Sequence, residues 1–584
     1  MHDIDVSIVT FAPDLGMLAR LVASIAESGA RCALRIQDNS ADPATMAGIA
    51  ALPEVQSPRF ASVGLERSGT NLGFGRAHNA NIARGEAPFV LVANQDCVLE
   101  PDALDMVLAQ ARASASTVAA WEFRQIPYEH PKEYDPITLA TPWVSGACTL
   151  FRREALRVVD AFDAGIFLYG EDVDLSWRLR AAGWTLQYVP WCATVHDTYS
   201  RPYEVKPTAL FEGVLSHLCL RARYLGPART LKGLAKLARE IAAPQEFPGR
   251  RWGLVKAGLR FLPRWPRFAA TRVRANAHFQ PLVLSWDYAR HRDGPFIPLH
   301  SRRDSAAPQP LVSILIRTCG RPAWLRQALA SCAHQTYRNL EVVVVEGGEP
   351  VSAAVVDEFR NRLRVTYHAT GEPSRRARNG NIALGMAKGE WLNFLDDDDV
   401  LFAAHVETVL GAALAAAASG AYGLAWEVPT RVLDRDAARF EELEPRTRHA
   451  QRFDRMVLWH HNYLPIQSVL FHRRLYERHG GFDESMDQLE DWNLWTRYSL
   501  DDDFVLVEKT TSKYRVPADA AEAAARQAML DEAYAIAIER QRTMRGTFSP
   551  QQVLAMADAH AKRHRMLARV PGGRRVLELM EGER

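Results

Sequence analysis

An internal repeat of about 306 residues constrains the fold of this chain more than any other feature. The segment VSIVT at residues 6–10 returns as VSILIRT at residues 312–318, and each copy leads into an apolar-periodic helix. A second strand follows each helix, at residues 34–38 and 342–346. Solenoid repeats are roughly 20 to 50 residues long, so a period of this size indicates a duplicated domain. Strands that alternate with helices predict a mostly parallel α/β sheet in each half.

The same landmarks follow in the same order in both halves. An Asn/Gly-rich turn with a helix precedes a third strand that ends in acids or amides, and a Glu-Asp pair comes later. The turn and its helix lie at residues 71–81 and 375–385. The third strand ends at Asn94 to Asp96 and at Asp396 to Asp399, and the Glu-Asp pairs are Glu171-Asp172 and Glu490-Asp491. The carboxyl ends of parallel strands meet at one edge of a sheet, where ligands bind. We therefore expect these polar groups to converge.

Four consecutive carboxylates, Asp396 to Asp399, end the third strand of the second half. Like charges repel unless a cation or hydrogen-bond donors offset them, and hard divalent cations bind carboxylate oxygens. One interpretation is a Mg²⁺ or Mn²⁺ site that holds a diphosphate. The other is a solvated acidic turn that caps the next helix. The stretch alone leaves both open.

Composition limits the class of protein and its compartment. A chain of 584 residues exceeds one hydrophobic core, and its apolar and charged fractions of 47% and 24% are typical of soluble globular proteins. The net charge of +2 gives no reason to expect a nucleic-acid partner. The seven cysteines lack metal-ligand spacing, and neither a signal peptide nor a membrane span is evident. We expect a cytoplasmic protein with reduced thiols.

The ordered landmarks of both halves resemble the GT-A-fold family 2 glycosyltransferases, which transfer a sugar from a nucleotide donor with inversion. The second half is similar to the broad family along residues 312–322, 335–345, 377–380, 394–399, 480–484 and 489–492. The first half is similar to the rhamnosyltransferase and galactofuranosyltransferase branch along residues 38–40, 71–75, 94–96 and 167–174. The resemblance implies an α/β chain with two GT-A (Rossmann-like) domains. We expect domains at 1–215 and 309–517, a helical basic connector at 216–308 and a helical extension at 518–584.

The resemblance also implies roles for the Glu-Asp pairs. Asp172 and Asp491 would be the bases that take the proton of the acceptor hydroxyl. Glu171 and Glu490 would hold an acceptor hydroxyl or orient the base. The alternative for each pair is an acid cluster at the N-terminus of a helix.

Metal and donor ligands follow from the same resemblance. A Mg²⁺ or Mn²⁺ ion would be bound by Asp96 and His196 in the first half, and by Asp396 and Asp398 with support from Asp399 in the second. Pro517 stands where the family has a histidine, so the second half would lack that ligand. The donor nucleotide would be contacted by Thr10, Asp38, Asn71 and Asn79, and by Thr318, Glu346, Arg378 and Asn379.

The connector holds fourteen Lys or Arg residues and two Glu between positions 221 and 274. Leu234, Leu237, Ala238 and Ile241 recur at helical spacing beside basic residues, and a basic, Trp-containing stretch runs over 250–267. Peripheral contact with the anionic inner membrane is one interpretation. A helical connector with a solvated basic face is the other.

Together these features predict a bifunctional inverting glycosyltransferase that extends a bacterial surface polysaccharide on a lipid-linked oligosaccharide acceptor. Its donors would be nucleotide-diphosphate sugars, with dTDP-rhamnose expected for the first domain from the resemblance alone. The alternative is one active domain beside a degenerate one that serves as a scaffold or binds glycan.

Overall fold

The computed structural model describes residues 2–196, 204–301, 309–486, 488–500 and 502–567. Contacts divide the chain into two compact units, Met1–Ala307 and Pro308–Arg584. Each unit is built on one mixed, mostly parallel sheet with helices against it, which confirms the predicted α/β class with two GT-A-type sheets. The finer division at residues 215, 308 and 517 stays a prediction.

The first sheet has the strand order β3-β2-β1-β4-β7-β6-β8-β5. Its strands are β1 (Ile4–Thr10), β2 (Cys32–Asp38), β3 (Ser62–Arg67), β4 (Phe89–Asn94), β5 (Cys97–Leu99), β6 (Val118–Ile126), β7 (Cys148–Arg152) and β8 (Thr185–His196). The helices on this sheet are α1 (Leu15–Ala26), α2 (Pro43–Ala50), α3 (Phe74–Ala83), α4 (Ala103–Ala113), α5 (Arg153–Val158) and α6 (Glu171–Ala181). Strands β1 to β4 are parallel to one another.

The parallel strands form because both of their faces are buried. All but one residue of β1 is buried, the same holds for β2, and every apolar residue of β4 is buried, because helices cover the sheet. Helix α1 begins after Asp14, whose carboxylate accepts hydrogen bonds from the amides of Gly16 and Met17. Each strand therefore ends at the sheet edge where a polar turn begins.

The connector folds as helices that pack on the first sheet unit. They are α7 (Pro207–Leu220), which continues into a π-helical turn (Arg221–Leu225), α8 (Pro227–Ala242), α9 (Arg250–Phe261) and α10 (Trp265–Ala270). Leu237 of α8 is buried in a cluster with Trp177 of α6, and Leu234 and Ile241 pack against the same cluster. This apolar face of α8 is therefore occupied by protein, as the connector interpretation requires.

An ion-pair network fixes the connector to the helix that carries the first Glu-Asp pair. The buried guanidinium of Arg223 donates to Asp174 Oδ1 at 2.6 Å and to Asp163 Oδ2 at 2.6 Å. The hydroxyl of Tyr224 also donates to Asp174 Oδ1, at 2.9 Å. Asp174, within the repeated Glu-Asp segment, therefore has a structural role.

The second sheet has the order β11-β10-β9-β12-β17-β14-β18-β13, with β15 and β16 paired to β14. Its strands are β9 (Val312–Thr318), β10 (Leu340–Glu346), β11 (Val365–Ala369), β12 (Trp391–Asp396), β13 (Val400–Leu401), β14 (Gly420–Asp434), β15 (Arg439–Glu442), β16 (Arg446–Thr447), β17 (Val469–His472) and β18 (Val505–Pro517). The helices are α11 (Pro322–Ala333), α12 (Ala353–Asp357), α13 (Arg376–Met386), α14 (His405–Ala415), α15 (Arg455–Leu458), α16 (Arg473–His479), α17 (Glu490–Tyr498), α18 (Ala520–Arg542) and α19 (Pro550–Leu567).

The two sheets share one topology, because each strand of the first order has its counterpart at the same place in the second. The predicted duplication is thereby confirmed. The apolar, Ala-rich run at 409–425, whose composition favours one packed helix, instead divides between the end of α14 and the start of β14. The helical extension begins with α18. A basic stretch follows at 563–575, and its residues from 568 onward lie outside the described residues. Within the described residues, no helix is both long and apolar enough to span a membrane.

Candidate active sites

The ends of β1 and β2 form the donor side of the first candidate site. Thr10 Oγ1 donates to Asp38 Oδ1 at 2.9 Å, and Ser40 Oγ donates to the same oxygen at 2.7 Å. Asp38 is fully buried, and its other oxygen, Oδ2, accepts no hydrogen bond from the residues that the structure describes. A buried carboxylate oxygen without a donor is costly, so this atom fits a hydrogen-bond donor from a ligand.

The Asn71 loop lies against the end of β2. Asn71 Oδ1 accepts from the amide of Gly73 at 2.9 Å and from Asn39 Nδ2 at 3.4 Å. Gly73 has φ +81°, and a Cβ there would lie 2.5 Å from the carbonyl oxygen of Phe167, so only glycine fits. The structure thus brings Asn71 to Asn39, the residue that follows Asp38.

Asn79, predicted to contact the donor, is engaged within the protein. Its Nδ2 donates to the carbonyl of Phe162 at 2.8 Å, and its Oδ1 accepts from the amide of Phe162 at 3.0 Å. Asn381 binds the backbone of Phe482 in the same way, at 3.1 and 2.7 Å. The two asparagines are therefore equivalent residues of α3 and α13, and both fix a loop to a helix.

Asp96 and His196 come together at the end of the first sheet. Cys97 pairs with His196 between β5 and β8, and His196 Nε2 lies 3.4 Å from Asp96 Oδ1. Gln125 Oε1 is 2.9 Å from His196 Nδ1, which orients the ring. Burial raises the pKa of Asp96, but the hydrogen bond and charge of His196 outweigh it and leave that pKa below its usual value.

This arrangement fits a divalent cation. Within the described residues, one group of three His, Cys, Asp or Glu side chains has ligand atoms that all lie within 4.8 Å of one another. Its members are Asp96, Cys97 and His196. Burial raises the pKa of the Cys97 thiol far above its usual range, so the sulfur stays protonated. A carboxylate and an imidazole suit Mn²⁺, and a carboxylate suits Mg²⁺. Asp96 and His196 are therefore the residues that could hold the ion.

Glu171 and Asp172 open helix α6, directly after Gly170 with φ +87°. Asp172 Oδ2 accepts from the amide of Gly146 at 3.0 Å, and Oδ1 accepts from Val173 at 2.8 Å. Burial raises the pKa of Asp172 and, together with the charge of Asp172, raises that of Glu171 well above its usual value. The pair therefore lies at a helix N-terminus, and its burial gives Asp172 the basicity that a general base needs.

A buried ion pair behind Asp172 was not predicted. Lys132 Nζ donates to Glu122 Oε1 at 2.6 Å and lies 3.9 Å from the ring centroid of Trp143. The charge of Lys132 lowers the pKa of Asp172 in part, against the effect of burial. Lys132 lies in an irregular segment, where no periodicity marks it. Trp143, which precedes the Glu-Asp pair and by its residue type could stack on a sugar ring or lie in the core, is 8% exposed and belongs to the core.

The second unit gathers its predicted acids around a pocket of about 760 Å³. The lining includes Asp396, Asp398, Asp399, Glu490 and Asp491. Burial, followed by the charge of Glu490, raises the pKa of Asp491 to about 6. Burial also raises the pKa of Asp399 well above its usual value. The Glu-Asp pair and the acidic turn therefore meet in one cavity, with Asp491 as a weak acid.

Two arginines that were not predicted bind the acidic turn. Arg317 Nε and Nη2 donate to the two oxygens of Asp396 at 2.8 and 2.9 Å, and Nη1 donates to Glu490 at 3.0 Å. Arg321 donates to Asp397, and its Nη1 donates to Asp398 at 2.9 Å. The available signal was an arginine at the end of β9 and another in the following turn.

The donor residues predicted for the second half are only partly brought together. Glu346 accepts from Gly320 and Ser352 and from the hydroxyl of Tyr367, and both of its oxygens are used. Thr318 donates to Asp397 at 2.6 Å. Arg378 lies at the surface beside Glu372, whereas Asn379 is buried and its Oδ1 has no partner among the described residues.

The sheet register puts a tyrosine where the first unit has His196. Val400 pairs with Lys513, so Tyr514 follows in register as His196 follows Val195 in the first sheet. The hydroxyl of Tyr514 donates to Glu427 Oε2 at 3.0 Å. Pro517, expected in the place of the histidine, lies three residues further along β18.

Family comparisons match both halves of the chain. Residues 313–479 match the model of "Glycosyl transferase family 2", and residues 138–212 match that of "Glycosyltransferase like family 2". An N-acetylglucosaminyl-diphospho-decaprenol L-rhamnosyltransferase of Mycobacterium tuberculosis is 30% identical over 234 residues, which are 32% of this chain and 74% of that protein. A GalNAc(5)-diNAcBac-PP-undecaprenol beta-1,3-glucosyltransferase of Campylobacter jejuni is 28% identical over 105 residues, 17% of this chain and 34% of that protein.

Solved structures with a related fold share little sequence. TarS 1-349 of S. aureus with UDP-GlcNAc gives a TM-score of 0.30 at 16% identity, over 35% of this chain and 58% of that one. The mannosyltransferase PcManGT of Pyrobaculum calidifontis with GDP-Man and Mn²⁺ gives a TM-score of 0.31 at 16% sequence identity. The match covers 46% of this chain and 86% of that one. Because the rhamnosyltransferase is covered over most of its length at 30% identity, and family models match both halves, the chain belongs to glycosyl transferase family 2.

Proposed function

We propose that this chain is a bifunctional, inverting glycosyltransferase that extends a bacterial surface polysaccharide on a lipid-linked oligosaccharide acceptor. The observation that carries the proposal is the duplicated catalytic arrangement, with a Glu-Asp pair opening the corresponding helix of each unit and a raised pKa at both Asp172 and Asp491. The names of two relatives specify polyprenol diphosphate acceptors, which supports the lipid-linked acceptor.

In each unit the aspartate would act as the general base. The hydroxyl oxygen of the acceptor attacks the anomeric carbon from the face opposite the nucleotide, and its proton passes to Asp172 or Asp491. A C–O bond to the acceptor forms while the bond to the diphosphate breaks, which inverts the anomeric centre. Because burial raises the pKa of both carboxyls, each is a stronger base than an exposed aspartate.

The donor of the first unit would lie over the ends of β1 and β2. Asp38 Oδ2, which accepts no hydrogen bond from the described residues, is available to the base or ribose of the nucleotide. Thr10 donates to the other oxygen of Asp38, and Asn71 contacts the neighbouring Asn39. The rhamnosyltransferase relative supports dTDP-rhamnose as the donor.

Asp96 and His196 would hold Mg²⁺ or Mn²⁺ in the first unit. A cation bound there would offset the negative charge that develops on the leaving nucleoside diphosphate. Gln125 fixes the ring of His196, and the lowered pKa of Asp96 keeps its carboxylate ionised at neutral pH. The metal role of Asp396, Asp398 and Asp399 stays a prediction.

The outer face of α9 would place the enzyme at the cytoplasmic side of the inner membrane. Trp252, Leu259 and Leu262 are 59%, 58% and 51% exposed and recur at helical spacing. Arg251 and Lys256 are exposed around them, and basic residues beside apolar ones favour an anionic lipid surface. Trp252→Ser should reduce co-sedimentation with phosphatidylglycerol vesicles, with unchanged sedimentation refuting this contact.

The experiment for the transfer reaction is a screen of nucleotide-sugar donors with polyprenol-linked acceptors. Released nucleoside diphosphate is measured for the wild type, Asp172→Asn and Asp491→Asn. We expect two donors to be used and each variant to lose one. A chain that uses one donor, with one silent substitution, would instead support an active domain beside a scaffold. The saturated Glu346 favours that alternative for the second unit.

A further inference from the structure

The two units differ in the charge of their residues at the sheet edge. Uncharged residues of the first unit are replaced in the second by an arginine and an aspartate that pair with each other. Val9 pairs with Asn94 in the first sheet, and Arg317 pairs with Asp396 at the corresponding place in the second. The first unit thus has two uncharged residues where the second has a cation and an anion. Arg321 is a second charged residue that replaces an uncharged one. It stands three residues after Thr318, and the first unit has a proline at the corresponding place.

Of the predicted metal ligands, the arginines occupy both oxygens of Asp396 and one oxygen of Asp398. Asp398 Oδ1 and Asp399 remain, and within the described residues they join no group of three ligands whose atoms lie within 4.8 Å of one another. Both oxygens of Asp396 accept from Arg317, both oxygens of Asp397 accept from Arg321, and Asp398 Oδ2 accepts from Arg321 as well. The side chain of Arg317 is 4% exposed. A cation at these oxygens would displace a buried, bidentate guanidinium, and breaking such a pair is costly.

The remaining metal ligand of the first unit is also replaced. Tyr514 stands in the register position of His196, and its hydroxyl donates to Glu427. A tyrosine that donates its proton to a carboxylate offers no imidazole nitrogen to Mg²⁺ or Mn²⁺. The residues of the second unit therefore do not fit the divalent cation that Asp96 and His196 fit in the first.

We propose that the second unit binds a nucleoside diphosphate without a divalent cation, and that Arg376 is the main group that neutralises its phosphates. Arg376 is the first residue of α13 and lines the pocket, with its side chain 48% exposed. Its Nε lies 3.7 Å from Glu490 Oε1, so the guanidinium is held near the reaction site at the long end of the ion-pair range.

Comparison with the first unit shows that Arg376 is another charged residue of the second unit that replaces an uncharged one. Because Asn79 and Asn381 clamp equivalent loops, counting back along α3 and α13 makes Phe74 the counterpart of Arg376. Phe74 packs on Phe162, with ring centroids 5.8 Å apart. A guanidinium stays charged at every physiological pH and binds phosphate oxygens in pairs, so it can replace the charge of a metal ion.

The inference rests on the proposed function, and binding measurements separate the two. UDP, GDP and dTDP are titrated calorimetrically into the full chain, with Mn²⁺ and then with EDTA. We expect one binding event that requires Mn²⁺ and is lost in Asp96→Asn, and a second that resists EDTA. Arg376→Gln should weaken the second event by about tenfold to a hundredfold, because it removes charge-assisted hydrogen bonds. Arg326→Gln, which alters an exposed pair with Glu358, is the matched control.

Electron paramagnetic resonance counts the bound Mn²⁺ independently of activity. With saturating nucleoside diphosphate, we expect a single Mn²⁺ per chain, lost in Asp96→Asn and kept in Asp398→Asn. Two Mn²⁺ ions, one of them lost in Asp398→Asn, would overturn the inference, as would the absence of any EDTA-resistant binding. EDTA-resistant binding to a chain that transfers no sugar would refute the proposed function and leave the inference standing.

Discussion

Asp491→Asn should make the second unit more stable at neutral pH while it abolishes transfer. The carboxyl is buried beside Glu490, and its pKa rises from an ordinary value of 3.8 to about 6. A group whose folded pKa is raised contributes stability below its unfolded pKa, and that contribution is lost as the pH rises through the folded pKa. Above pH 6 the folded wild type therefore bears the cost of an ionised, buried carboxylate. An asparagine has the same shape and no charge.

The magnitude follows from the difference between the two pKa values. A shift of about two units, which already includes the charges of Glu490 and Arg317, corresponds to on the order of 3 kcal/mol. For a unit of this size, 1 kcal/mol shifts the unfolding temperature by about 2 to 4 °C. The variant should unfold several degrees above the wild type at pH 7.5, and the difference should shrink towards zero near pH 4.

Differential scanning calorimetry between pH 4 and 8 measures this difference. Asp483→Asn is the control of opposite sign, because hydrogen bonds from Ser485 and the charges of Arg540 and Arg497 outweigh burial and lower the pKa of Asp483. That variant should lose stability above pH 4 relative to the wild type. A stability difference for Asp491→Asn that stays constant from pH 4 to 8, or that grows towards pH 4, would refute the reasoning.

Three further outcomes follow from the geometry. The rate of the second transfer should fall as the pH drops through about 6, because Asp491 becomes protonated, and a rate profile at saturating donor checks this. Arg317→Met should destabilise the second unit by about 3 to 5 kcal/mol, since it removes the buried guanidinium that binds both the buried Glu490 and the partly buried Asp396, whereas Arg326→Met should cost at most about 1 kcal/mol in the same denaturant titration. Gly73→Ala should weaken binding of the first unit's donor and lower its stability, while Gly183→Ala, with φ +91° and open space around it, should show backbone strain alone.

The sequence predicted the parts of the fold that depend on local pattern. Buried strands such as β1 and β10 are continuous apolar runs, and the Glu-Asp pairs precede clear helices, so both were found. The saturation of Glu346 could not be predicted, because Tyr367, whose hydroxyl binds it, lies on another strand. The apolar face of α8 pointed equally to protein or membrane, because a helical pattern does not specify what covers it.

The same limit applies to Asp396, Asp398 and Asp399, for which the resemblance implied a metal ion. Neighbouring acidic residues require positive charge close to them, but the spacing of residues in the sequence does not show whether a metal ion or an arginine supplies it. In the first unit, Asp96 and His196 lie 3.4 Å apart and belong to a group of side chains that could hold a metal ion. In the second unit, the positive charges of Arg317 and Arg321 pair with these acidic residues. Once a buried arginine compensates the acids, a histidine ligand no longer serves a metal, which is consistent with a tyrosine at position 514. The two copies thus keep the same carboxylate edge and the same Glu-Asp pair, while the source of positive charge has changed.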